Sequence, residues 1–164
     1  MSKVGIYPGT FDPITLGHID IIKRSLNIVD RLIVAVSSDY SKNYLFSGEE
    51  RVLIVKKSLF KDLKFRAQKI KVLSFNSLTT SLCTKYNATI LFRGLRAVSD
   101  FEYEFQLAGM NRQLNKKIET VFLMSDPDNQ VISSNLVKEI AKLNGKIDKF
   151  VTKSTKKALK EKYD

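Results

Sequence analysis

The sequence predicts a single α/β domain built on a doubly wound parallel sheet. Short apolar segments alternate with helical ones from the N-terminus onward, and the connections between them are short. The apolar segments lack a regular polar alternation, as is typical of strands whose two faces are both covered by helices. Internal repeats and Gly/Ser linkers are not evident, so the prediction is one domain over residues 1–164.

The predicted strands are rich in valine, isoleucine, leucine and phenylalanine and cover residues 3–7, 31–37, 70–75, 89–92 and 120–124. The predicted helices cover residues 17–29, 47–60, 78–86, 99–114 and 133–143. Two of these helices have the sequence of a capping box at their start, Ser47 with Glu50 and Ser99 with Glu102.

The helix predicted over residues 99–114 is apolar on two sides. One stripe is formed by Phe101, Phe105 and Ala108, and the other by Tyr103, Leu107, Met110 and Leu114. A helix with two apolar sides is usually buried on both. Either a subunit interface or a central core helix explains the pattern.

Bulk composition indicates a folded protein of the cytoplasm. Of the 164 residues, 43% are hydrophobic, and Cys83 is the only cysteine, which excludes an intrachain disulfide. The N-terminus does not resemble a signal peptide, and the longest apolar runs, such as residues 32–36, are too short to cross a bilayer. We therefore expect a soluble, cytoplasmic protein that has no membrane partner.

The net charge of +11, from 28 basic and 17 acidic residues, suggests a polyanionic partner or substrate. Part of the excess follows a turn expected at Asn144-Gly145, where the core should end and a Lys-rich helical extension should begin at about residue 146. We interpret the extension as a solvated helix. Aromatic residues are not interleaved with the basic ones, so a nucleic-acid partner is not expected.

The loop after the first predicted strand has the composition of a phosphate site. In a parallel sheet, ligands bind beyond the C-terminal ends of the strands. Thr10 and Phe11 offer backbone N–H groups, Thr15 can cap the following helix, and Gly17 permits close approach. The glycines of a Walker A loop or of a dinucleotide-binding motif are missing, so neither of those classes is predicted.

His18 is the only histidine of the chain and lies in the first turn of the helix after this loop. A lone histidine is more often structural than functional. Its place beside an anion-binding loop favours a functional role, because a ring N–H can be directed at a phosphate oxygen. A helix N-terminus lowers the pKa of a histidine, whereas a bound polyphosphate raises it.

Two segments resemble the motifs of the nucleotidyltransferase superfamily. Residues 10–18 (TFDPITLGH) contain its T-x-G-H motif, and residues 132–134 (ISS) resemble its second motif. Residues 93–104 (RGLRAVSDFEYE), with shorter matches at 49–51 and 121–124, narrow the resemblance to the phosphopantetheine adenylyltransferase family. The similarity is collinear over about residues 3 to 151 and implies a Rossmann-like nucleotidyltransferase fold.

The resemblance implies transfer of the adenylyl group of ATP to 4′-phosphopantetheine, giving dephospho-coenzyme A and pyrophosphate, with Mg²⁺ accompanying ATP. Family members are typically hexamers, so a homo-oligomer is expected. The nucleophile is a phosphate monoester whose second pKa is about 6, so it arrives ionised and needs no general base. The enzyme has only to align two anions and offset their repulsion.

The resemblance also assigns site residues. The catalytic ones are His18, Lys42 and Arg96. The ATP-binding ones are Thr10, Phe11, His18, Gly94, Leu95, Arg96, Glu104, Asn129, Ile132, Ser133, Ser134 and Asn135. Those for phosphopantetheine are Thr10, Lys42, Thr79 and Arg93. Dedicated metal ligands are not predicted.

Three departures from the family pattern are expected to shift affinity without removing the central charges. Asn135 replaces a serine or threonine, residues 129–131 lack a frequent aromatic, and Thr79 stands where an apolar residue is common. Two alternatives stay open. One is another member of the superfamily, such as a nicotinamide-mononucleotide adenylyltransferase or a cytidylyltransferase. The other is a non-catalytic nucleic-acid-binding protein, which the net charge suggests.

Overall fold

The computed structural model describes residues 2–39 and 41–164. Its sheet has five parallel strands in the order β3-β2-β1-β4-β5. The strands are β1 (Val4–Gly9), β2 (Arg31–Ser37), β3 (Ile70–Phe75), β4 (Ile90–Leu95) and β5 (Glu119–Met124). The prediction of a doubly wound parallel α/β fold is confirmed, and the chain reverses its direction across the sheet between β1 and β4.

The helices follow the strands in alternation. They are α1 (Leu16–Ser25), α2 (Gly48–Lys56), α3 (Thr79–Lys85), α4 (Val98–Leu114), α5 (Ser134–Lys142) and α6 (Lys153–Tyr163). Helix α2 continues as a wider π-helical segment, Lys57–Asp62, and a short 3₁₀ turn, Pro127–Asn129, precedes α5. In the described part of the chain, no helix has the length and apolar character needed to cross a membrane.

Both faces of the sheet carry a hydrophobic core, as the apolar sequences of the strands predicted. Neighbouring residues of β1 point to opposite faces: Tyr7 belongs to the larger core cluster and Ile6 to the smaller one. The larger cluster packs against α1, α2, α5 and α6, and the smaller one against α3. Burial of the strands on both sides explains why their sequences lack a polar alternation.

One of the two predicted capping boxes is confirmed. Ser47 and Glu50 exchange hydrogen bonds at the start of α2, with N–H to oxygen distances of 3.1 and 2.7 Å. The other prediction, Ser99 with Glu102, is wrong because α4 begins earlier, at Val98. There the Asp100 carboxylate accepts the backbone N–H groups of Arg96 and Ala97 at 3.3 Å. Asp100 therefore caps the start of α4.

The core continues beyond Asn144-Gly145, contrary to prediction. The turn is present, and it ends α5 through the Gly145 N–H, which donates to Ile140 O at 2.8 Å. Downstream, Ile147, Val151 and Leu159 are buried in the larger cluster. The lysines of α6 lie mostly on its exposed side. The prediction of a solvated helix rested on these charges and overlooked the apolar face of the helix.

Helix α4 is not a central core helix. Its large apolar side chains are exposed, with 65% of Tyr103, 64% of Phe105 and 63% of Met110 accessible to solvent. The core-helix explanation of its apolar sides is therefore wrong, and the subunit interface stays a prediction.

Candidate active site

A cavity of about 550 Å³ opens at the C-terminal edge of the sheet, where β1 and β4 lie side by side. This is the position at which the chain reverses direction, the usual ligand site of such sheets. Most predicted site residues line it: Thr10, Phe11, His18, Lys42, Arg93, Gly94, Arg96, Glu104, Ile132, Ser133, Ser134 and Asn135. Segments more than 120 residues apart in sequence are thereby brought together.

Three predicted site residues lie outside the cavity lining. The Leu95 side chain is buried at the end of β4. Asn129 belongs to the 3₁₀ turn, where its carbonyl accepts the Ile132 N–H at 3.1 Å. Thr79 begins α3 beyond the edge strand β3, two strands away from β1. Their assignments stay predictions from the resemblance.

His18 is fixed by the cap of its own helix. Thr15 is the N-cap residue of α1, and its backbone N–H donates to His18 Nδ1 at 3.0 Å. Because Nδ1 accepts this bond, we assign the ring proton to Nε2. The Phe11 ring packs against the imidazole edge-on, with 5.0 Å between ring centroids. The ring thus has one orientation, and within the described ranges its Nε2–H donates to no other residue.

Burial, together with the smaller effect of the nearby positive charge of Arg96, lowers the pKa of His18 from 6.5 to about 4. The sign follows from the charge of the acid form, because both effects penalise an imidazolium. At neutral pH the ligand-free imidazole is therefore neutral. It can donate a hydrogen bond from Nε2 and does not act as a cation.

Arg93 and Glu104 form a partly buried, two-bond ion pair. Arg93 Nε donates to one Glu104 carboxylate oxygen at 2.8 Å and Nη2 to the other at 2.6 Å, while Nη1 donates to Pro8 O at 3.2 Å. Burial opposes the charged guanidinium, but the hydrogen bonds and charge of Glu104 outweigh that effect and raise the pKa of Arg93. Both Glu104 oxygens bind Arg93, so this carboxylate orients the arginine.

The two motif segments meet at the start of α5. Ser133 is the N-cap residue, and its Oγ accepts the Leu136 N–H at 3.1 Å. The Ser134 hydroxyl donates to Pro13 O at 2.8 Å and joins α5 to the loop after β1. Arg96 Nη1 donates to Ile132 O at 3.1 Å. The start of α5 and Arg96 therefore line the cavity together, beside the loop after β1.

Sequence reasoning missed two residues that build the cavity wall. The Asp12 carboxylate binds the backbone of the loop that carries Lys42, and the Arg51 guanidinium binds that loop and the Thr10 carbonyl. Asp12 and Arg51 stood within matched motifs, but a buried charge that binds backbone atoms gives no signal in sequence.

The cavity is suited to a polyanion. Lys42, Arg93 and Arg96 supply three cationic groups. The N-termini of α1 and α5 add the positive ends of two helix dipoles, and His18 adds a neutral donor. Such a set can hold two phosphate groups in line and stabilise charge on a phosphoryl centre between them.

Comparison with known proteins agrees with this geometry. The cytidylyltransferase-like family model matches residues 6–140. A phosphopantetheine adenylyltransferase from Pelagibacter ubique is 65% identical over 164 residues, all of both chains. One from Sphingopyxis alaskensis is 52% identical over 157 residues, 96% of this chain and 91% of the relative.

A solved structure of similar fold is the Plasmodium falciparum nicotinic acid mononucleotide adenylyltransferase complexed with NaAD. It superposes with a TM-score of 0.71 over 99% of this chain and 96% of that one, at 17% identity. At that identity the likeness concerns the fold alone.

Proposed function

The chain belongs to the phosphopantetheine adenylyltransferase family, and we propose that the cavity between β1 and β4 is where its reaction takes place. The enzyme transfers the adenylyl group of ATP to 4′-phosphopantetheine in coenzyme A biosynthesis, giving dephospho-coenzyme A and pyrophosphate. The convergence of His18, Lys42, Arg93 and Arg96 on one cavity is the observation that carries the site assignment. Family membership favours an enzyme over the non-catalytic nucleic-acid-binding alternative.

In the proposed reaction, an oxygen of the acceptor phosphate attacks the α-phosphorus of ATP. The bond from that phosphorus to the bridging oxygen breaks, and its electron pair leaves with pyrophosphate. The acceptor phosphate, with a second pKa of about 6, is already ionised at neutral pH. His18 donates its Nε2 proton as a hydrogen bond to an α-phosphate oxygen, where charge grows in the transition state.

The remaining roles follow from position in the cavity. Arg93 binds the acceptor phosphate, with its orientation fixed by Glu104, and Lys42 lies between the acceptor and the α-phosphate. Thr10 and Phe11 contact phosphates from the loop after β1. Arg96 and Gly94, with the start of α5 from Ile132 to Asn135, hold the β- and γ-phosphates. By resemblance to the family, Leu95 and Asn129 are assigned to ATP binding and Thr79 to phosphopantetheine binding.

A divalent cation accompanies ATP in this family's reaction, and we take it to be Mg²⁺. The cavity carboxylates are already committed: Asp12 binds backbone N–H groups and Lys138, Glu104 binds Arg93, and Asp100 caps α4. Among the described residues, no three His, Cys, Asp or Glu side chains cluster as a metal site. The residues therefore fit a cation carried mainly on the phosphates, where it neutralises charge.

The protein is proposed to work in the cytoplasm.

His18→Ala and Arg93→Ala, assayed by pyrophosphate release with 4′-phosphopantetheine and ATP, test the site. Loss of one transition-state donor predicts a fall in kcat of about 100- to 1,000-fold for His18→Ala. Arg93→Ala should mainly raise KM for the acceptor. Arg66→Ala, which removes an exposed arginine outside the cavity, is the matched control and should behave as the wild type.

A panel of acceptors decides between this activity and its neighbours. The wild type should turn over 4′-phosphopantetheine and not nicotinamide mononucleotide. Turnover of another phosphate alone would refute the assignment of the substrate. Full activity in both His18→Ala and Arg93→Ala would refute the assignment of the site.

A further inference from the structure

Arg51 is a buried cation, and among the residues that the structure describes its hydrogen-bond acceptors are all backbone carbonyls. Only 1% of the residue is exposed. Its Nη1 donates to Thr10 O at 2.8 Å and to Ser37 O at 2.6 Å, and its Nε donates to Phe46 O at 3.1 Å. These carbonyls belong to three separate places: the loop after β1, the end of β2 and the end of the loop that carries Lys42. One guanidinium therefore ties them together.

A planar guanidinium suits this task better than an ammonium group. Its N–H donors point in fixed directions, so it can serve carbonyls on different segments at once. The Tyr44 ring packs against the same group, with 4.3 Å from Arg51 Cζ to the ring centroid. Tyr44 lines the cavity, so Arg51 supports the cavity wall without entering it.

Asp12 binds the same loop from the other side. Its carboxylate accepts the backbone N–H groups of Leu45 at 2.9 Å and Phe46 at 3.0 Å. Lys138 of α5 donates to it at 3.0 Å, and only 3% of Asp12 is exposed. At Phe46 the carbonyl is held by Arg51 and the N–H by Asp12. The loop of residues 41–47 is thus held at one residue, Phe46, through its two flanking peptide groups, by two opposite charges.

We propose that Arg51 and Asp12 are positioning residues that hold the loop of residues 41–47, and with it Lys42, against the phosphate loop at Thr10. Lys42 itself lies in an exposed stretch of that loop, so its placement depends on how the loop is anchored. The inference rests on the proposed role of Lys42 between acceptor and α-phosphate. In this arrangement the buried Arg51 determines the position of the Lys42 ammonium group in the cavity.

A double-mutant cycle between Arg51 and Lys42 tests the proposal. Arg51→Lys keeps the charge and loses the fork, so the loop should shift. A misplacement of about 1 Å can cost about 100-fold, and we expect a fall of that order in kcat/KM for 4′-phosphopantetheine. In the Lys42→Ala background the same change should cost at least about tenfold less, because the two residues act through one placement.

Asp12→Asn provides a second, independent variant. It preserves the shape of the side chain but cannot accept both N–H groups as a carboxylate does, and it should show the same dependence on Lys42. Asp62→Ala is the matched control, because it removes a side chain that anchors α6 outside the cavity. It should lower thermal stability and leave kcat/KM unchanged.

The possible outcomes separate this inference from the proposed function. Equal costs of Arg51→Lys and Asp12→Asn in the presence and absence of Lys42 would overturn the positioning role. A loss of kcat/KM in Asp62→Ala as large as that in Arg51→Lys would overturn it also, by reducing the effect to stability. Full activity in both His18→Ala and Arg93→Ala refutes the site assignment and leaves the loop anchoring to be judged by the cycle alone.

Discussion

At the scale of single residues, the tautomer and the protonation state of His18 depend on its burial and on two neighbouring residues. Thr15 occupies Nδ1 through its backbone N–H, and Arg96 with burial keeps the ring neutral. A neutral donor costs less to bury than an imidazolium and still stabilises charge on a phosphate oxygen. The sequence indicated the position of this histidine at a helix start but not its tautomer, which depends on contacts in the folded chain.

Titration of His18 by NMR tests this state, and the chain's single histidine makes the signal unambiguous. The ligand-free enzyme should show the Nε2–H tautomer and a pKa of about 4. Because the folded pKa lies below the usual value, this group's contribution to stability is full above about pH 6.5 and decreases as pH falls toward 4. ATP should raise the pKa. A ligand-free pKa near 6.5 would contradict the buried, neutral assignment.

At the scale of elements, the alternation of strands and helices could be predicted because each strand is apolar on both faces and each helix follows a short connection. The packing of the C-terminal segment could not be predicted. Its seven lysines in residues 146–164 indicate a solvated helix, whereas Ile147, Val151 and Leu159 are buried. Helix α6 also docks through polar groups. Ser58, Thr152 and Thr155 form a buried hydroxyl cluster, with 2.7 Å between the oxygens of the first two.

The anchoring of α6 by Asp62 is a prediction at this scale. The Asp62 carboxylate accepts the Ser154 backbone N–H at 2.7 Å and its hydroxyl at 3.0 Å, at the first turn of α6. Asp62→Ala should lower the free energy of unfolding by about 1 kcal/mol, the usual cost of losing a helix cap. Denaturant titration measures the change, and Glu161→Gln, in an exposed pair with Lys157, should be nearly neutral.

The same carboxylate gives the effect a pH dependence. Although burial opposes it, hydrogen bonding from Ser154 lowers the pKa of Asp62 below its usual value. Its contribution to stability is therefore present above pH 4 or so and is lost as pH falls through the folded pKa. The difference between wild type and Asp62→Ala should shrink in acid. A constant difference would show that packing, and not the carboxylate, anchors α6.

The candidate site divides in the same way between what sequence can and cannot predict. Arg93, Arg96 and His18 lie within contiguous motifs, so their chemistry was visible before the fold. The carboxylate that orients Arg93 is eleven residues away on α4, and the Arg51 contacts reach Thr10 and Ser37 across the sheet edge. Such contacts are fixed by three-dimensional packing, and single-sequence patterns do not record them.

At the scale of the whole molecule, helix α4 joins the site to the surface. Glu104 faces inward and holds Arg93, while Tyr103 and Phe105 on either side of it are exposed. These two residues belong to the two separate apolar stripes of α4, and exposed apolar stripes of this kind on a folded chain mark an interaction surface. The family resemblance predicts a hexamer, so a second copy of the chain is the expected partner. Assembly there would cover the helix whose Glu104 orients Arg93.

Phe105→Asp tests this arrangement. Light scattering should give the wild type a mass about six times the 18.7 kDa of one chain. Burying an unpaired carboxylate in an apolar interface is costly, so the variant should dissociate to smaller species. Leu63→Asp, at a half-exposed apolar residue after the π-helical segment, should leave the mass unchanged. Glu104 is part of α4 and moves with it. Dissociation should therefore also raise KM for the acceptor. A wild type that is monomeric at assay concentration would refute the interface, and unchanged mass in Phe105→Asp would place it elsewhere.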